Sequence, residues 1–105
     1  MRKYLSQIFG SSVQVQILDT LCGLVLEEKP NQGLSWVNLS QLAAKATVAK
    51  SSAKRIVDGL LDQDLLEEKP IQTHAQNPPR EIRLNTKHPV IKELLFFYRK
   101  IRGFL

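Results

Sequence analysis

The sequence predicts a mainly α fold with one small β-hairpin and additional N- and C-terminal helices. Three observations lead there. Apolar residues recur at spacings of three and four along several stretches, most clearly within residues 42–66. Two short stretches, 65–69 and 81–84, read instead as strands; in the second, Ile82 and Leu84 alternate with Glu81 and Arg83. Residues 70–80 between them are polar and carry Pro70, Pro78 and Pro79, a composition that suits a hairpin tip and not a strand interior.

The elements follow in order. Residues 2–9 can form a short helix with Tyr4, Leu5, Ile8 and Phe9 apolar. Gly10-Ser11-Ser12 breaks it, and a hydroxyl there can cap the next helix, from about residue 13 to 28. Val13, Ile17, Leu18, Leu21, Leu24 and Val25 form its core stripe, and Val15, Cys22 and Leu26 widen it. A helix this apolar belongs at the centre of the fold. Residues 29–33 are a loop by composition, and 35–37 suit a short first strand. Asn38 and Gln41 have the capping-box spacing, so a helix starts at Leu39 with Leu42, Ala43 and Ala46 inward. Near the end, Pro89 suits the first turn of a last helix that carries Val90, Ile91, Leu94, Leu95, Phe96, Phe97, Tyr98 and Ile101.

The centre of the chain carries the chemistry. After a short helix and a tight break, a second helix is expected from about residue 50 to 63. Ala53, Ile56, Val57, Leu60 and Leu61 make its apolar face. Lys50, Ser51, Ser52, Lys54 and Arg55 make a basic, hydroxyl-bearing face at its N-terminal end. Such a face can enter the DNA major groove, where Lys and Arg reach phosphates or guanine edges. Asp58, Asp62 and Asp64 would be repelled by phosphate, which confines contact to the first half of the helix.

This stretch resembles the helix-turn-helix of prokaryotic winged helix-turn-helix DNA-binding transcription regulators. The resemblance rests on Leu42-Ala43, turn residue Thr47, Val48, Ser51-Ser52 and closing Leu65-Leu66. The run from Phe9 to Val13, leading into Ile17-Leu18-Asp19, is also similar to the opening helix of these proteins. Two residues depart from the pattern. Thr47 stands where Gly is common, and Ala49 where a capping Ser or Thr is common. The resemblance implies one winged-helix domain over residues 1–105, with residues 1–10 and 88–105 as flanking helices for dimerisation. It also implies sequence-specific binding of double-stranded DNA by a homodimer. The recognition helix would read the major groove, and the wing, about 70–80, would lie near the minor groove or backbone. Expected DNA contacts are Lys45, Lys50, Ser51, Ser52, Lys54, Arg55, His74 and Arg80. Expected dimer contacts are Leu5, Ile8, Phe9, Phe96, Phe97 and Phe104. The alternative is a winged-helix module used for protein–protein interaction within a larger assembly, which would bury the same basic surface against a partner.

Composition sets outer bounds. The chain has 105 residues, 43% apolar and 24% charged, an ordinary globular mix with room for one modest core. Its formal charge of +5 is compatible with a polyanionic partner. No apolar run approaches a membrane span, and no apolar stretch or cleavage site follows the basic start. A cytoplasmic location is expected. Cys22 is the single cysteine, so no internal disulfide forms, and it is expected in the core. Cys22, His74 and His88 lack metal-ligand spacing, and no catalytic constellation emerges, so neither enzyme activity nor a cofactor is expected. The sequence leaves any effector ligand unspecified.

Overall fold

The computed structural model describes residues 3–27, 36–70 and 80–104. Among these residues, five helices and three strands follow the order α1 (Leu5–Phe9), α2 (Val13–Glu27), β1 (Val37–Asn38), α3 (Leu39–Ala46), α4 (Lys50–Asp62), β2 (Leu66–Pro70), β3 (Arg80–Leu84) and α5 (Pro89–Phe104). The protein is mainly helical with a small three-stranded antiparallel sheet in the order β1-β3-β2. Leu66 pairs with Leu84 and Pro70 with Arg80, so β2 and β3 form the expected hairpin. Its tip, with His74, lies outside the described residues.

Local chemistry sets the helix boundaries. Ser12 Oγ accepts the Val15 N–H at the start of α2. At α3, Asn38 Oδ1 accepts the Gln41 N–H at 2.8 Å, and Gln41 Oε1 accepts the Asn38 N–H at 2.9 Å. This reciprocal pair satisfies two donors that a helix start leaves open. Thr47 ends α3 in the left-handed region, at φ 56° and ψ 45°. Its hydroxyl donates to the Ala46 carbonyl and lies 3.2 Å from Gln16 Oε1. Ala49 begins α4 with extended backbone and supplies no side-chain cap. At α5, His88 Nδ1 accepts the Val90 N–H, and Pro89 takes the first helical position, where no N–H is required.

The core gathers around α2. Ile17, Leu21 and Cys22 are buried against Leu42 and Ala46 of α3, Ala53 and Val57 of α4, and Ile82 and Leu84 of β3. Ala43, Ala46 and Ala53 are small and buried, which lets α3 and α4 approach α2 closely. The stripe Ile91, Leu95, Tyr98 and Ile101 buries α5 against the same core. The Tyr98 ring meets Tyr4 edge-on at 5.4 Å.

α1 departs from its expected role. Leu5 is 2% exposed and belongs to the core, so it is withdrawn from the partner surface assigned to it by sequence. The cause is Asp19, a fully buried carboxylate on α2. Its oxygens accept the N–H groups of Tyr4, Leu5 and Ser6 at 3.1, 2.7 and 2.8 Å, and the Ser6 hydroxyl at 2.7 Å. These bonds pin the start of α1 onto α2 and turn Leu5 inward. Ile8 and Phe9, one turn later, stay exposed.

Candidate nucleic-acid interface

α4 stands with Ala53, Val57 and Leu60 in the core and a broad arc of polar side chains in solvent. Lys50, Ser51, Lys54 and Arg55 are exposed on its first two turns, and Ser52 is half-buried. Helical spacing splits this group. Lys50 and Lys54, four apart, share one edge of the exposed arc, and Ser51 and Arg55 share the other. Asp58 lies between the edges, one turn beyond Lys54. Lys54 Nζ sits 2.8 Å from Asp58 Oδ2, so its charge has an intrahelical partner.

Among the described residues, the hairpin places its basic candidate, Arg80, on the Lys50–Lys54 side. On β3, Arg80, Ile82 and Leu84 alternate onto the face that carries the core, with Ile82 and Leu84 buried. Arg80 continues that face beyond the core and is exposed. It lies 3.2 Å from Glu68, across the ladder on β2. Lys50, Lys54, Asp58, Glu68 and Arg80 therefore rim one cleft of about 380 Å³. Its floor is Leu39, Val57, Leu61 and Ile82, and Asn38 and Ser40 border it at the start of α3. Three cations and two carboxylates leave it one positive charge in excess, and both carboxylates are engaged by Lys54 and Arg80. Exposed pairs of this kind contribute at most about 1 kcal/mol, so a polyanion can displace them.

Lys45 is exposed in the last turn of α3, beside the turn, and is not among the residues that rim the cleft. His74 lies outside the described residues. The opposite face of the sheet has its own chemistry. Lys69 Nζ and the Arg83 guanidinium each lie 4.4 Å from the Trp36 ring centroid, and Arg83 also pairs with Glu67 at 3.0 Å. Sequence reasoning did not anticipate this cluster. The alternation that aims Ile82 inward is the signal that sends Arg83 and Lys69 to the other side.

A second unanticipated link ties the N-terminal segment to the turn between α3 and α4. Lys3 Nζ donates to the Ala46 carbonyl at 3.0 Å, at the end of α3, where open carbonyls favour a cation. It also lies 3.5 Å from Gln16 Oε1, the atom that Thr47 contacts.

Among the described residues, no group of three or more His, Cys, Asp or Glu side chains is arranged to hold a metal ion. No helix among them is long and apolar enough to cross a membrane. Comparison with protein-family models, with curated proteins and with solved structures finds no match.

Proposed function

We propose that this chain is a winged helix-turn-helix protein that binds double-stranded DNA as a homodimer and regulates transcription in the cytoplasm. α4 is its recognition helix and the β2–β3 hairpin its wing. The observation that carries the reading is the cleft where Lys50 and Lys54 of α4 and Arg80 of β3 share one exposed rim. A helix in the major groove and a hairpin over the adjacent minor groove have one phosphate ridge between them. Cations lining the cleft between helix and hairpin suit that ridge. Ser51 and Arg55, on the other edge of α4, are then free to read base edges, where a bidentate Arg–guanine contact discriminates by about 1–3 kcal/mol. The element order supports the same reading, since one strand precedes the helix pair and two follow it.

The test is binding to duplex DNA across a range of salt concentrations, for the wild type and for Lys50→Ala, Lys54→Ala and Arg80→Ala. Each phosphate contact removed should lower the slope of log K against log salt by about 0.9. Arg55→Ala should instead relax preference at one base pair of a duplex selected from a random pool. If the wild type ignores duplex DNA even at low salt, the reading moves to a protein-interaction module.

A further inference from the structure

Among the described residues, most of the large apolar side chains left in water lie on α5. Phe96 is 55%, Phe97 39% and Phe104 90% exposed, and Val90 is also exposed. Phe9, at the end of α1, joins them with its ring 6.0 Å from that of Phe97. Phe96 faces away from the buried stripe, while Val90, Phe97 and Phe104 form a surface beside that stripe, on its Ile101 edge. Along it, Val90, Glu93, Phe97, Lys100 and Phe104 follow at steps of three and four, the spacing of a helix–helix seam. Such a seam suits a second helix, and its two charges decide which one.

We propose that α5 pairs with α5 of a second copy, antiparallel, about a two-fold axis at Phe97. In a two-fold contact every residue pairing occurs twice, so the sequence must complement its own reversal. About Phe97 it does. Val90 of one copy falls opposite Phe104 of the other, seven residues from the axis on each side. Glu93 falls opposite Lys100, four residues before the axis and three after it. Phe97 meets Phe97. A parallel pair would instead set Glu93 against Glu93 and Lys100 against Lys100, which like charges oppose. Phe9 widens the contact from α1, and Lys100, whose ammonium lies over the exposed Phe96 ring at 4.5 Å, can turn from that ring to Glu93 of the other copy. The pairing rests on the homodimer stated above and specifies its geometry; it does not depend on DNA binding.

Sedimentation equilibrium tests the charge register on the full chain. All the residues changed are exposed, and circular dichroism verifies that each variant folds. Glu93→Lys and Lys100→Glu should each raise the dimer dissociation constant by about tenfold or more, and the double exchange should restore most of it. Oxidation of single-cysteine variants tests orientation, since Cys22 is buried. Phe97→Cys should cross-link to itself. Val90→Cys should not, because antiparallel copies hold those positions about 21 Å apart along the helix axes. It should cross-link to Phe104→Cys in a mixture. A dimer indifferent to both charge changes, or self-linking of Val90→Cys, overturns the pairing and leaves the homodimer standing. A wild type that stays monomeric at about 50 µM, a range where modest interfaces form, overturns both.

Discussion

The Asp19 carboxylate holds the Leu5 amide at 2.7 Å, and through it the first turn of α1 stays against α2. The same carboxylate accepts three further bonds, from the Tyr4 and Ser6 N–H groups, which a helix start leaves without partners, and from the Ser6 hydroxyl. One buried acid on α2 thus converts a five-residue helix, too short to persist alone, into part of the core. Hydrogen bonds to a buried charge are the strong kind, and their loss leaves the donors unsatisfied. Asp19→Ala should therefore cost about 2–4 kcal/mol in urea unfolding. Amide exchange in residues 4–6 should rise above the level that this loss of stability alone explains. A variant within about 0.5 kcal/mol of wild type would remove Asp19 as the anchor.

The start of α4 is open to improvement. Ala49 has the backbone of a cap, φ −66° and ψ 143°, and its side chain offers no acceptor. Ser at this position can accept the N–H of Ser51 or Ser52, which a helix start leaves open. Ala49→Ser should raise stability by about 1 kcal/mol, read as a higher urea midpoint with an unchanged slope. A decrease would mean that the extended backbone at Ala49 does not act as a cap.

Cys22 should report on unfolding. Burial pushes its thiol up to about 12, and the neighbouring Asp19 charge adds to the shift. A disulfide reagent should react with the thiol only as fast as the native chain opens, because the thiolate is the nucleophile. The pH dependence has a definite sign. An unfolded cysteine ionises near about 8.5, so below that pH both states hold the proton and this contribution is fully present. Above it the native chain keeps a proton that the unfolded chain has lost. Stability then falls by up to about 1.4 kcal/mol per pH unit until the native thiol ionises. Between about pH 8 and pH 10, wild type should lose stability faster than Cys22→Ala. Parallel curves would show that Cys22 does not contribute.

Local chemistry made most of this fold legible in the sequence. The Asn38–Gln41 box, left-handed Thr47, and the His88-Pro89 start all join residues a few positions apart, so spacing suffices to find them. The alternation in β3 placed Ile82 and Leu84 inward in the same way. Contacts that span the chain were not legible. Lys3 reaches Ala46, and Asp19 reaches Leu5, because helices bring them together in space. A trace of the second existed. Asp19 is the one acid among residues 17–24 of α2, which are nearly all buried, and a buried acid requires donors. The basic face of α4 was visible as a group, but its division was not. Arg80 shares a cleft with Lys50 and Lys54 and not with Arg55, a result of strand register and helix packing together.

That division gives the last prediction, which concerns Asp58. It lies in the middle of the exposed arc of α4 and holds Lys54 at 2.8 Å. A polyanion approaching the cleft meets a carboxylate before it meets an unengaged Lys54. Its cost is twofold: Asp58 repels phosphate, and it occupies the lysine that phosphate would use. Asp58→Ala removes both effects and sacrifices only a surface i, i+4 pair, worth about 0.3–0.5 kcal/mol to the helix. The variant should therefore bind duplex DNA more tightly, by about tenfold at low salt, with a steeper salt dependence as Lys54 becomes a full phosphate contact. The gain should shrink as salt rises and screens both charges. Specific and random duplexes should gain alike, because phosphate contacts carry no sequence information. Lys54→Ala should do the opposite, and the double variant should retain part of the Asp58→Ala gain, through lost repulsion alone. Fluorescence anisotropy on both duplex classes across salt decides the matter. Unchanged or weaker binding by Asp58→Ala would place the DNA strand away from the Lys50–Lys54 edge of α4.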